Sequence, residues 1–279
     1  MHSDVIRHLC CPVCRRELAQ ATPDAPVRCR AGHSFDPARQ GYVQLTAGPL
    51  THPGDSAAMV AARATFLAAG HFATITSAVR DIAAAAWPGG LVLDVGAGTG
   101  HHLAGVLDGL PAAYGLAVDS SKAAARRAAN AHVRADAIVG DVWRPLPVGD
   151  SAVGVLTDIF APRNAPEFAR VLRADGVLVV VTPAVDHLAE LVDALDLLRV
   201  DPVKSERLAD TLDALFQRAA SRPYQWIMEL DHDDVGTLVG MGPSAWHAEP
   251  AALSGRIAAL PTPVRVTASV VVAVYRPRG

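Results

Sequence analysis

Cys11-Pro12-Val13-Cys14 and Cys29-Arg30-Ala31-Gly32-His33 place two pairs of soft metal ligands in a short N-terminal stretch. Thiolate sulfur and imidazole nitrogen, offered in pairs from two turns, suit a tetrahedral zinc ion. Cys10 competes with Cys11 as the first ligand, but only Cys11 makes the C-x2-C spacing usual for such a turn. Cys11, Cys14, Cys29 and His33 would fill all four positions around one Zn2+ and leave none open, so the expected role is structural. All four cysteines of the chain lie between Cys10 and Cys29. With no apolar h-region at the N-terminus and no apolar run of membrane-spanning length, the expected setting is the cytoplasm. There, clustered thiols hold metal more often than they form disulfides.

A second constellation follows. Asp94-Val95-Gly96-Ala97-Gly98-Thr99-Gly100 reads D-x-G-x-G-x-G directly after the apolar run Leu91-Val92-Leu93. Glycines placed after a strand allow a tight turn and close approach of a ligand to backbone. Dinucleotide sites space their glycines G-x-G-x-x-G. Here the third glycine comes one residue early, which favours S-adenosylmethionine as the ligand of Asp94, Gly96, Gly98 and Gly100. Asp119 ends the next predicted strand, where an acid can accept both ribose hydroxyls. Asp141 ends the third, where an acid or its neighbouring amide can meet the adenine amino group.

These side chains need a sheet to hold them. Predicted strands cover 91–95, 113–119, 137–141, 153–159 and 176–182, with helices around 101–108, 121–131 and 165–173 between them. Alternation of this kind predicts an α/β fold with a mostly parallel, Rossmann-like sheet covered on both faces. Helices are also expected at 186–198 and 204–220, and strands near 224–230 and from Val264 to Tyr275. The last two would suit the closing hairpin of a seven-stranded class I methyltransferase. Upstream, Asp55 or Ser56 can cap a helix ending near Ala69, and a second helix runs from about Ala73 to Trp87. The division expected is a zinc module at 1–37, a linker and helix at 38–70, and a methyltransferase domain at 71–279.

The chain has 279 residues, 51% of them hydrophobic, and a net charge of -3. That suffices for one packed domain with a small appendage, and it is not the composition of a simple basic nucleic-acid binder. Positive charge is concentrated at the N-terminus. Arg7, Arg15, Arg16, Arg28, Arg30 and Arg39 face only Asp4, Glu17, Asp24 and Asp36 within the first 48 residues. Three ligand thiolates and a zinc ion would remove about one unit of that excess.

Taken with several shorter segments, these motifs resemble the RlmA-type 23S rRNA (guanine-N1)-methyltransferases along essentially the whole chain. The segments include His33-Ser34-Phe35-Asp36, Pro53-Gly54-Asp55-Ser56, Ala62-Arg63, Phe66-Leu67 and Gly70-His71-Phe72. Phe160-Ala161-Pro162, Thr182-Pro183, His187-Leu188 and Met241-Gly242-Pro243-Ser244-Ala245-Trp246 continue the likeness. The resemblance implies methyl transfer to N1 of a guanosine in a 23S rRNA hairpin, with S-adenosylmethionine as donor. It also implies a homodimer whose zinc modules help form an RNA cleft. The high-GC character of the chain points to the branch that acts at nucleotide 748 and confers tylosin-type macrolide resistance.

The same resemblance assigns donor contacts to Gly100-His101, Phe72 and His187. Phe72 stands where the family usually has Tyr, so only packing or stacking carries over. Asp158-Ile159-Phe160-Ala161-Pro162-Arg163 departs from the N/D-P-P-F/Y segment of enzymes that methylate exocyclic amines. Asp158 is the best-placed carboxylate for taking the N1 proton, although the family does not keep an acid there. Two other readings stay open at this point. A small-molecule methyltransferase of secondary metabolism shares the donor loop but rarely needs a zinc module. A zinc-dependent RNA-binding protein that has lost activity would not need an intact loop and Asp119.

Overall fold

Residues 1–50, 54–197, 211–242 and 250–278 are described by the computed structural model. The apolar runs become strands: β1 Leu18–Ala19, β2 Val27–Cys29, β3 Ser34–Phe35, β4 Val43–Gln44, β5 Leu91–Val95 and β6 Gly115–Asp119. Then come β7 Ala135–Val139, β8 Val153–Ile159, β9 Leu172–Pro183, β10 Phe216–Leu230 and β11 Val264–Pro277. The first three form a small antiparallel sheet, and the other eight form one large sheet in the order β10-β11-β9-β8-β5-β6-β7-β4. Strands from β4 to β9 run parallel in it, and β10 and β11, an antiparallel pair joined through two helices and not by a hairpin turn, close it. All five residues of β5 are buried, as a central parallel strand covered on both faces requires.

Helices α1 Ser3–Ile6, α2 Ala57–Ala68, α3 Ala73–Ala86, α4 His101–Asp108, α5 Lys122–Ala128, α6 Ala165–Val171 and α7 Ala189–Leu195 lie among the strands. Two more span His232–Gly240 and Pro250–Ala258. Their ends follow local chemistry. Ser56 Oγ accepts the Met59 N–H at 3.2 Å and Ser121 Oγ the Ala124 N–H at 3.3 Å, so each caps the helix behind it. Among the described residues, no single helix is long and apolar enough to cross a membrane.

Two apolar clusters sandwich the large sheet. One joins Phe66, Ile75, Leu103, Val155 and Val179, and the other joins Leu93, Leu116, Leu146, Phe168 and Leu178. The second cluster also takes in Val5, Leu9, Cys11, Leu18 and Val27, so the cysteine module shares the core of the larger body. Polar contacts run along the same seam. Arg15 donates to the Leu146 carbonyl at 2.6 Å and the Val148 carbonyl at 3.2 Å. The Cys10 N–H reaches Pro147 O, and the Gly149 N–H reaches His8 O.

Three expectations need correction. The segment read as a linker supplies β4: Val43 is fully buried and pairs with Ile138, giving the expected seven strands an eighth at the edge. The helix expected over 204–220 falls partly outside the described residues. From Phe216 onward it is strand instead, paired with β11 from Phe216 opposite Pro277, with a register shift between Arg218 and Ala220. Long-range pairing with β11 overrides the helical propensity of Phe216-Gln217-Arg218-Ala219-Ala220. The third predicted strand ends at Val139, so Asp141 lies two residues beyond it. Pro53 and residues 243–246 of the likeness also lie outside the described residues.

Candidate functional site

The metal quartet assembles from two turns of the small sheet. His33 Nδ1 lies 3.5 Å from Cys11 Sγ and 3.4 Å from Cys29 Sγ, and Cys14 Sγ is 3.7 Å from Cys29 Sγ. All four ligand atoms lie within 4.8 Å of one another. Sulfur atoms bound at 2.3 Å around a tetrahedral zinc sit about 3.8 Å apart, so the four residues fit the ion. Burial opposes ionisation of Cys29, yet the amides of Ala31 and His33 and the side chains of His33 and Cys14 bring its thiol down to about 6. That favours the ligand form. Cys10 stands outside the quartet, its backbone tied to Pro147 and its thiol pushed up by burial.

The glycine loop bridges the end of β5 and the start of α4. Gly96, Gly98 and Gly100 have φ of 63°, 55° and 75°, which L side chains rarely adopt. Packing adds a second demand at Gly96, where a Cβ would sit 2.6 Å from the Ala161 Cβ. Asp119 closes β6 with both oxygens engaged: Oδ2 accepts the Gly98 N–H at 2.8 Å and Oδ1 the Ser121 N–H at 2.8 Å. A carboxylate has about four acceptor positions, so each oxygen keeps one for a ribose hydroxyl. Burial raises the Asp119 carboxyl, and the two amides oppose that rise. With its left-handed glycines and this acid, the loop fits an adenosyl donor.

Asp94 lies beneath the loop. It is 2% exposed and accepts the Thr157 hydroxyl at 2.7 Å on Oδ1. Burial pushes its carboxyl up to about 7; the Thr157 bond opposes the rise and the charge of Asp119 adds to it. Asp141 accepts the Trp143 N–H at 3.0 Å in a turn after β7. His101 opens α4, and burial lowers its pKa.

Rings form the other wall. Phe72 precedes α3, is 4% exposed, and has ring neighbours Phe66 at 5.1 Å, Trp226 at 6.0 Å, and Phe160 and His187 at 6.2 Å. His187 Nδ1 accepts the Ser269 N–H at 3.1 Å, and burial holds the ring down to about 4. The imidazole is therefore neutral near pH 7, with its remaining proton on Nε2.

Asp158 is not part of this wall. Strand alternation puts it on the opposite sheet face from Asp94 and Thr157. It has no exposed surface and lies 3.5 Å from Arg163 Nε, so here it is that guanidinium's counter-ion. Burial raises its carboxyl well above the usual range, with Arg163 opposing.

Arg63 joins the site without having been singled out for chemistry. It pairs with Asp55, donates to Met241 O at 2.9 Å, and would lie 3.3 Å from a Cβ on Gly98. Its segment is part of the family likeness, but nothing in its spacing announces a contact with the loop. Thr157 was missed as well, since only strand register brings it to Asp94.

Residues 9–47 match the family model described as RlmA, N-terminal. A Streptomyces fradiae protein named 23S rRNA (guanine(748)-N(1))-methyltransferase is 48% identical over 280 residues, covering 99% of each chain. A Micromonospora griseorubida protein, provisionally named a 23S rRNA (guanine-N(1)-)-methyltransferase, is 54% identical over 294 residues, covering 99% of this chain and 100% of its own. Among solved structures, the YcgJ protein of Bacillus subtilis has a TM-score of 0.50 at 17% identity, covering 73% of this chain and 99% of that one. That likeness concerns the fold alone.

Sheet order, glycine loop and strand-end acid define a class I, S-adenosylmethionine-dependent methyltransferase with an N-terminal zinc ribbon. Full-length identity then narrows the class. The chain belongs to the RlmA-type 23S rRNA (guanine-N1)-methyltransferase family.

Proposed function

We propose that this protein transfers a methyl group from S-adenosylmethionine to N1 of guanosine 748 in a hairpin loop of 23S rRNA. The observation that carries this reading is 48% identity, over 99% of both chains, to the relative named for that activity. The zinc quartet supports it over a small-molecule methyltransferase, which has little use for such a module.

The donor would lie over Gly96, Gly98 and Gly100, its ribose on Asp119, with Asp94, His101 and Asp141 around the loop. Phe72 and His187 would close the methionine side by packing and by the Nε2–H. When bound, the donor supplies an electrophilic methyl on a sulfonium. Guanine N1 carries a proton at neutral pH, so transfer would break the sulfur–methyl bond, form the nitrogen–methyl bond and release that proton to water. The residues around the loop would have to hold N1 in line with the methyl, and such alignment can supply much of the acceleration.

Residues 1–37 would position RNA by shape and a few arginine contacts, with residues 38–70 joining them to the methyltransferase body at 71–279. Homodimerisation, a cytoplasmic setting and tylosin-type resistance complete the proposal and rest on the family likeness. Incubation with labelled donor and the isolated hairpin tests the core of it. Label should enter the hairpin and should not enter one whose target guanosine is replaced by adenosine; equal incorporation into both would refute N1 transfer to that base.

A further inference from the structure

Phe160 is out of keeping with its surroundings. It is a large apolar side chain left 42% exposed at the end of a strand whose own residues are all buried. Its backbone has φ of 55°, a conformation costly for a bulky L residue. The strain is held in place: the Phe160 N–H bonds to Val181 O at 3.1 Å, and the next residue, Ala161, packs on Gly96 of the donor loop. Glycine or asparagine would occupy this corner at lower backbone cost, so the backbone does not call for a phenyl ring here.

The ring's neighbours say what it faces. Its centroid is 6.2 Å from that of Phe72 and 5.9 Å from that of His187. Phe72 and His187 are themselves 6.2 Å apart. The three rings thus form one cluster, joined to the glycine loop through the contact of Ala161 with Gly96. Phe72 is buried and His187 half-buried and held by Ser269, which leaves Phe160 as the most exposed ring of the three.

We infer that the Phe160 ring is the platform on which the guanine to be methylated stacks. The inference rests on the rRNA reading above and assigns its base-binding residue. A base taken out of an RNA loop loses its stacking neighbours, and an aromatic side chain beside the reacting methyl replaces them. Stacking of this kind places the base plane but does not read its edge.

The test compares Phe160→Gly, Phe160→Trp and the unchanged protein on the 23S rRNA hairpin, with S-adenosylmethionine affinity and Tm measured for each. In Phe160→Gly, kcat/KM for RNA should fall roughly 10- to 100-fold, the scale of one lost base–aromatic stack. Its donor Kd should stay within about twofold and its Tm within a few degrees of the unchanged protein, because relief of the left-handed backbone offsets the lost ring contacts. Phe160→Trp should keep kcat/KM within a few-fold of the unchanged protein. An unaltered kcat/KM in Phe160→Gly, or a matching loss of donor affinity or Tm, would overturn the assignment. If the unchanged protein does not methylate the hairpin, the rRNA reading itself has failed, which is a separate outcome.

Discussion

Asp119 Oδ2 accepts the Gly98 N–H at 2.8 Å, so the acid ending β6 clasps the middle glycine of the loop that leaves β5. One carboxylate thereby shapes the cradle and still faces the place where a ribose would lie. Neighbouring parallel strands make this possible, because Val95 and Val118 are register partners one step before the two turns.

Asp119→Asn tests that double duty. The amide keeps the size but halves the acceptors, and one of its faces meets an N–H with another N–H. Donor affinity should fall at least tenfold, equivalent to about 1.4 kcal/mol, measured by calorimetric titration with S-adenosylmethionine. A Kd within a factor of two of the unchanged protein would show that this acid does not meet the ligand.

The zinc prediction separates neighbouring cysteines. Metal analysis should find about one zinc per chain, lost in Cys29→Ser and retained in Cys10→Ser, because only Cys29 belongs to the quartet. Loss of zinc in Cys10→Ser with retention in Cys11→Ser would reverse the ligand assignment.

Arg15 gives a test of how the zinc module is held. Its guanidinium serves the Leu146 and Val148 carbonyls, which Arg170 also reaches, so Arg15→Ala removes two hydrogen bonds across the seam without leaving either oxygen bare. The expected cost is about 0.5–1.5 kcal/mol in urea unfolding, the net worth of a hydrogen bond whose acceptor keeps another donor, with zinc content unchanged. Loss of zinc without a change in unfolding free energy would mean that Arg15 supports the metal turn and not the seam.

Much of this architecture is written locally. β8 and α4 begin and end where their apolar runs and flanking glycines say, and the quartet and D-x-G-x-G-x-G loop are complete in short windows. What escapes is set by distant partners. β4 has two residues and exists only because β7 offers an edge to Val43 and Gln44. β10 starts at Phe216 because β11 pairs with it there. Arg63 reaches Gly98, and Thr157 reaches Asp94, across sheet and helix contacts that no spacing rule encodes. The exposure and left-handed backbone of Phe160 are properties of a corner, invisible in Asp158-Ile159-Phe160 as a string.

Acid should weaken the fold partly through His187. Burial holds its folded pKa at about 4, below the 6.5 of a free histidine. Between those values the unfolded chain binds more protons, so the contribution of His187 to stability is present above pH 6.5 and is lost as pH falls toward 4. Asp94, raised to about 7, has the opposite slope over its own window, with folded stability declining as pH rises toward 7. Comparing the unchanged protein with His187→Gln isolates the first effect. Unfolding free energy between pH 7 and pH 4.5 should drop by about 2 kcal/mol less in the variant. Equal drops would place the acid sensitivity elsewhere.

The central claim is methylation at N1 of one guanosine. N1 methylation blocks Watson–Crick pairing, so reverse transcriptase halts one nucleotide before the modified base. Primer extension on 23S rRNA incubated with protein and S-adenosylmethionine should give a new stop one nucleotide 3′ of guanosine 748, absent without the donor. Full read-through of that hairpin, with the methyl group recovered on a small molecule or on another nucleotide, would contradict it.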